Sequence, residues 1–364
     1  MALVAAAFVS LNASNYVFHV VVSRILGPKD YGALASLLAI ALVLSVPFGV
    51  VQTIVAQRVA PLAPEEVGAT VAGLARTLVP MAWVGFAATA FVAPLTDEVL
   101  HVGLAPAVLL APYVLISLLV SVVLGALQGR LRFVAFAAVA LGSAGSRLAC
   151  GVLLALAGTG VTGTMIGTDL AQLVALAIGI AVLGIPTAVW RAARRSLAQF
   201  RGRVAAPVLL LSSFWVLAEL DIMLAQHYLP GASSGEYAAA ALVGRAILFV
   251  GSAVALVAFP RFMLLRDRPE EARRTLLLAV RVLAVAALGT AALLVLLRSP
   301  ILTLAFGARY VAAASLVPPL ALVGVALALG NLLTYVHIVL RTRAYLLLLG
   351  GTLVELALVG AFHA

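Results

Sequence analysis

Long apolar blocks follow one another along this chain, and each is closed by arginines, a Gly-Pro pair or a short polar turn. A bilayer core of about 30 Å is crossed by about 20 such residues in helical form. Eleven spans of that kind are predicted, at 3–23, 33–56, 69–95, 101–127, 134–157, 163–185, 206–229, 237–260, 275–297, 311–339 and 344–362. A transmembrane β-barrel would instead show short segments of alternating polarity, whereas these runs are continuous. The pattern therefore defines an all-α polytopic membrane protein. Most connections are short, as suits helical hairpins. Two are longer, at 186–205 and 261–274, and both are rich in arginine and carry a proline, Pro186 and Pro269. The first divides the chain into a six-helix N-terminal bundle (1–185), a basic linker (186–205) and a five-helix C-terminal bundle (206–364).

Composition narrows the class further. Of 364 residues 65% are hydrophobic and 10% charged, more apolar surface than a soluble core needs. The formal charge of +10 sits in loops between spans, with no basic face interleaved with aromatics, so nucleic acid is not a partner. The arginines instead report orientation. With the N-terminus in the cytoplasm, the turns on that side hold 15 of the 23 basic residues and the opposite turns hold 4. The positive-inside bias then places the N-terminus and the 186–205 linker in the cytoplasm. It puts the turn Ser23–Gly32 and the C-terminus outside. The chain opens on apolar residues without a basic n-region, so the first span is expected to be retained. A single cysteine, Cys150, excludes an intrachain disulfide.

The two halves match in outline. Asn15 lies sixteen residues before Tyr31-Gly32-Ala33, and Asp221 lies sixteen residues before Tyr237-Ala238-Ala239. Turns with Gly and Pro precede both tyrosines (Gly27-Pro28; Pro230-Gly231). Six spans restore the starting side, so the repeat is a parallel one.

The run Ile25-Leu26-Gly27-Pro28-Lys29-Asp30-Tyr31-Gly32 resembles the opening of bacterial polysaccharide-biosynthesis membrane proteins. Those are oligosaccharide flippases of the multidrug/oligosaccharidyl-lipid/polysaccharide (MOP) exporter superfamily. Later pieces are similar to the same pattern: Gln128-Gly129-Arg130 ahead of Phe133, Asp221 followed by Gly235-Glu236-Tyr237-Ala238-Ala239-Ala240, Phe259-Pro260-Arg261, and Phe306-Gly307-Ala308-Arg309-Tyr310. The resemblance implies two bundles around a central cavity and alternating access. It also implies a bacterial inner-membrane location and, as substrate, an undecaprenyl-diphosphate-linked sugar chain flipped outward. Polysaccharide polymerase and glycosyltransferases are the implied partners, beside membrane lipids. Such proteins usually have twelve or more spans, one more than the count here.

Ionisable groups inside spans cost about 2.5–3.5 kcal/mol each on insertion scales and mark function or pairing. Arg147 in span five and Arg245 in span eight lie about 10–15 Å from either surface, too deep for easy snorkelling. Guanidinium supplies permanently charged, bidentate donors of the kind a diphosphate needs. Two roles are open to them, lining the cavity against substrate or neutralising carboxylates between helices. Arg76 and Arg281 sit nearer the cytoplasmic ends and are expected to reach headgroups. Asp169 in span six, Glu219 and Asp221 in span seven are candidates for coupling to Na⁺ or H⁺, and structural pairing is the alternative for each: Asp169 with Arg147, Asp221 with Arg245. Glu355 is the acid of span eleven. Asn12, Asn15 and His19 fall at i, i+3 and i+7 and suit a hydrated cavity wall. His19 serves equally as a helix contact.

Other chemistry finds little support. Lys29 is the sole lysine, so there is no G-x-x-x-x-G-K-[ST] phosphate loop. His101, His227, His337 and His363 have no metal-ligand spacing, and no cofactor or enzymatic activity is expected. Two further functions stay open, a cation-coupled multidrug exporter of the same superfamily and a non-transporting scaffold for polysaccharide enzymes.

Overall fold

The computed structural model describes residues 2–192, 205–229, 231–265, 268–340 and 342–362. Regular structure among them is helical: α1 (Ala2–Val59), α2 (Pro64–Leu100), α3 (Leu104–Val108), α4 (Leu110–Gly129), α5 (Phe133–Leu154), α6 (Gly160–Leu183), α7 (Thr187–Ala192), α8 (Ala205–Tyr228), α9 (Ser233–Leu264), α10 (Pro269–Leu296), α11 (Arg298–Ala305), α12 (Val317–Leu340) and α13 (Tyr345–Phe362). Seven stretches of described helix are long and apolar enough to cross a membrane. Two of these, Ala13–Val59 with 47 residues and Phe133–Leu183 with 51, are long enough to cross twice. Large apolar side chains face outward, Phe91 at 86% and Leu296 at 79% exposure, while acids and an arginine are buried. That inversion suits a lipid surround and defines a multi-pass membrane protein.

The chain breaks where its sequence forces a break. Gly27, at φ 76° and ψ 172°, is the one non-helical residue inside α1. An L-residue is strained there, and Pro28 just after it cannot donate to the preceding turn. The predicted polar turn over residues 24–32 is thus reduced to a single-residue break between two helical halves, 2–26 and 28–59. A π-helical turn, Ala155–Thr159, with Gly158 at φ 81°, separates α5 from α6. α2 starts with Pro64 in its first turn, and the Glu66 carboxylate accepts from the Ala63 amide at 3.3 Å.

Three predicted boundaries move. α2 spans 64–100 rather than 69–95, kinkable at Pro80 and Pro94. α9 continues to Leu264, which shortens the expected 261–274 connection, and Pro269 opens α10. The span expected at 311–339 begins only at Val317, after a 3-10 segment, Ala308–Ser315. Pro318 and Pro319 explain the shift. Their rings are tolerated in a first helical turn and would clash with carbonyls four residues back if the α-helix started earlier. Of the 186–205 linker, residues 193–204 lie outside the described set.

Contacts divide the chain into two compact units. The first comprises Met1–Leu26 and Ser36–Val204, the second Gly27–Ala35 and Ala205–Ala364. In the first, α5 lies along α6, and α2 lies along α4 around buried Val55, Leu74, Leu78 and Val122. In the second, α9, α10 and α12 enclose Ile247, Leu283 and Leu332. A Cβ on Gly324 would strike the carbonyl of Gly244, so α9 and α12 meet backbone to backbone.

Candidate functional site

Each unit holds a polar cluster among otherwise apolar helices. In the first unit, Arg147 of α5 reaches α1. Its Nη1 donates to the Asn15 side-chain oxygen at 2.9 Å, and its guanidinium carbon lies 4.0 Å from the centre of the Phe18 ring. Asn15 and Phe18 are three residues apart and share a helix face, so one side chain engages both. Tyr113 of α4 stands within electrostatic range of Arg147 and Asp169. Among the described residues Arg147 has no carboxylate within salt-bridge distance. The expected pairing of Arg147 with Asp169 is therefore not made, because the guanidinium turns toward α1. Asp169 is 7% exposed, and neither of its carboxylate oxygens has a hydrogen-bond partner among the described residues. The hydroxyls near it are spent within their own helix, Thr164 on the Gly160 carbonyl and Thr168 on that of Thr164, both at 3.0 Å.

His19 is half-buried, and its ring meets Phe18 edge-on at 5.9 Å between centroids. The side chain of Asn12, the remaining member of the expected stripe, lies outside the described set. Arg76 donates to the Arg191 carbonyl at 3.1 Å, holding α7 against α2, so its contact is with protein backbone rather than with headgroups alone. Arg281 is exposed.

In the second unit acids outnumber the arginine. Arg245 of α9 donates from Nη2 to the Ala218 carbonyl and to Asp221 Oδ1, the latter at 2.5 Å. Its Nε lies 3.6 Å from Glu219 Oε1, an ion pair longer than a hydrogen bond. Asp221 is held on its other oxygen by the Tyr237 hydroxyl at 3.0 Å. Glu355 of α13 faces Asp221 and Tyr237 across a cleft of about 350 Å³ that Tyr228, Leu224 and Val359 also line. One arginine thus faces two acids directly, with Glu355 on the cleft as a third, leaving a surplus of negative charge when all are ionised.

A third convergence gathers the sequence motifs. Tyr31, 1% exposed, stacks against Phe306 and Tyr310 at 6.2 and 6.1 Å between ring centres. A Cβ on Gly235 would collide with the Pro28 carbonyl, so the segment 27–35 is seated directly on the start of α9.

Asn15 and Asp221, matched by the repeat, both accept from an arginine, but the donors come from different places, Arg147 from the fifth predicted span and Arg245 from the eighth. Phe18, Tyr113 and the Tyr237–Asp221 bond were not read from the sequence. Phe18 was accessible through its i+3 relation to Asn15. Tyr113 carried no local signal.

Superposition on a multidrug resistance MATE family transporter of the MOP superfamily, in its inward-facing conformation, gives a TM-score of 0.69 at 14% identity over 92% of this chain and 84% of the other. The outward-facing conformation of such a transporter gives 0.53 at 16% identity, over 99% and 92%. The MATE multidrug transporter DinF-BH gives 0.59 at 14%, over 90% and 83%. No curated protein matches the chain significantly in sequence. The family model for polysaccharide biosynthesis proteins matches residues 21–315, and the chain belongs to that family.

Proposed function

We propose that this protein is a transporter, not an enzyme, that flips a polyprenyl-diphosphate-linked oligosaccharide from the inner to the outer leaflet for cell-surface polysaccharide synthesis. The observation that carries this reading is the state of Arg147. Its charge is held by a neutral amide and an aromatic face, with no carboxylate in reach among the described residues, and its Nε has no hydrogen-bond partner. A half-buried guanidinium with a buried, unpartnered Nε and no carboxylate beside it among the described residues is costly, and an anionic substrate that completes it recovers that cost. Arg245 plays a different part in this scheme. It neutralises Asp221 and Glu219, and those acids, with Glu355 beside the cleft, carry the coupling Na⁺ or proton. Asp169, buried without a partner among the described residues, is the corresponding ion-coupling group of the first unit. His19 and Asn15 line the substrate path beside Arg147. The protein works by alternating access in the bacterial plasma membrane with its N-terminus in the cytoplasm. Polysaccharide polymerase and glycosyltransferases supply and consume its substrate, and no cofactor is required.

A second reading, a cation-coupled multidrug exporter, is favoured by the acid surplus around Asp221. Binding of a fluorescent polyprenyl-diphosphate sugar to purified protein separates the two. Displacement by soluble pyrophosphate, and none by a lipophilic cationic dye, supports flipping. Displacement by the dye alone supports the exporter.

A further inference from the structure

Away from both clusters, three segments of the first unit meet at one end of the bundle. The first turns of α2, the α4–α5 turn and the passage from α6 to α7 enclose a cleft of about 550 Å³. That is within the range of small-molecule sites. Its polar lining comprises two arginines and one acid, Arg130, Arg132 and Glu65, and its apolar lining includes Val67, Ile185 and Val189.

The arginines are held in place by backbone. Arg130 Nη1 donates to the Leu62 carbonyl at 3.0 Å and Arg132 Nη1 to the Val182 carbonyl at 3.1 Å. Each contact uses one of five guanidinium donors, so both forks keep donors for an anion. No salt bridge joins either arginine to Glu65 among the described residues. Glu65 is also free of the helix cap, since Glu66 accepts from the Ala63 amide. The site therefore offers a double cation and a separate carboxylate within one cleft, at the end of hydrophobic spans where phospholipid headgroups lie. α7 beside it carries Trp190, partly buried against the apolar cluster of α2 and α4, an anchor suited to the membrane interface.

We propose that this cleft binds the headgroup of a zwitterionic aminophospholipid. Arg130 and Arg132 take the phosphate in charge-assisted hydrogen bonds, and Glu65 takes the primary ammonium. Val67, Ile185 and Val189 meet the glycerol and the first acyl carbons. A purely anionic headgroup satisfies the arginines but leaves Glu65 facing negative charge. A trimethylated ammonium satisfies the charge of Glu65 without donating a hydrogen bond. Phosphatidylethanolamine meets all three groups, so selectivity resides in the carboxylate and affinity in the arginines.

The test is lipid retention measured by native mass spectrometry on the full-length protein in detergent, titrated in parallel with phosphatidylethanolamine, phosphatidylglycerol, phosphatidylcholine and soluble phosphoethanolamine. The expected order places phosphatidylethanolamine first, by about tenfold for a difference of about 1.4 kcal/mol. Soluble phosphoethanolamine should bind far more weakly, because it lacks the apolar contacts. Glu65→Gln, at an exposed position that leaves the fold intact, should bring phosphatidylethanolamine down to phosphatidylglycerol. Arg130→Ala with Arg132→Ala should abolish retention of both. Equal retention of all three lipids by the wild type would overturn the proposal. So would unchanged selectivity in Glu65→Gln, or binding of soluble phosphoethanolamine as tight as that of the lipid.

Discussion

The Tyr237 hydroxyl donates to the Asp221 carboxylate at 3.0 Å, sixteen residues apart in sequence and on successive helices, α9 and α8. The same carboxylate accepts from Arg245 on its other oxygen, so one acid joins two donors of α9. Removing the hydroxyl by Tyr237→Phe should cost about 1 kcal/mol, the usual net value of one such bond. Arg245→Ala should cost about 3–5 kcal/mol, because it strands buried acids without their cation. Thermal unfolding in detergent measures both. A double-mutant cycle between the two positions should show coupling, as expected when partners share one carboxylate.

If Asp221 carries the coupling ion, Asp221→Asn keeps a side-chain oxygen for Tyr237 and removes the charge. Transport driven by an imposed Na⁺ or proton gradient should fall to the rate seen without a gradient, while substrate binding is retained. Transport assays with and without each gradient check this. A mutant that still responds to the gradient as the wild type does would remove Asp221 from the coupling role.

Seating of the segment 27–35 depends on glycine at its contact. Gly235→Ala places a methyl against the Pro28 carbonyl, and Gly27→Ala forces an alanine into positive φ. Overpacking costs about 1–3 kcal/mol, and backbone strain of this kind a similar amount. Both variants should lower the melting temperature, and Gly235→Ala should also expose the 27–35 segment to limited proteolysis. Gly49→Ala, where an added Cβ meets nothing within 4 Å, is the control and should melt as the wild type does.

The stack of Arg147 over Phe18 is open to the same treatment. Phe18→Leu keeps an apolar side chain and loses the ring, which should cost about 0.5–2 kcal/mol of cation–π interaction. Asn15→Asp is the more informative change. It places a carboxylate where the amide oxygen sits, pairs the guanidinium and should raise stability. By neutralising Arg147 it should also weaken diphosphate binding. Stability and binding are thus predicted to move in opposite directions.

Much of the fold was legible because lipid imposes a simple rule, long apolar helices with arginines at their ends. The sixteen-residue spacing to Tyr31 and Tyr237 singled out Asn15 and Asp221, and both accept from an arginine. What the pattern did not carry was side-chain direction. Arg147 and Asp169 lie on adjacent helices, and only the structure shows the guanidinium turning to Asn15 and Phe18 instead. Helix starts also moved where proline set them: hydropathy runs smoothly across Val317, whereas the charges of Glu65 and Glu66 hid the start at Pro64. The cleft of Arg130, Arg132 and Glu65 was invisible as a unit. Its residues belong to three connections that were read only as charges for topology.

Translocation of a fluorescent polyprenyl-diphosphate sugar across the bilayer of proteoliposomes tests the proposed function most directly, comparing wild type, Arg147→Gln and protein-free liposomes. The wild type should move the lipid well above the protein-free rate, and Arg147→Gln, which retains a donor for Asn15 but not the charge, should lose most of that excess. Wild-type movement no faster than that in protein-free liposomes would contradict the flippase reading. Undiminished movement by Arg147→Gln would contradict the place given to Arg147 within it.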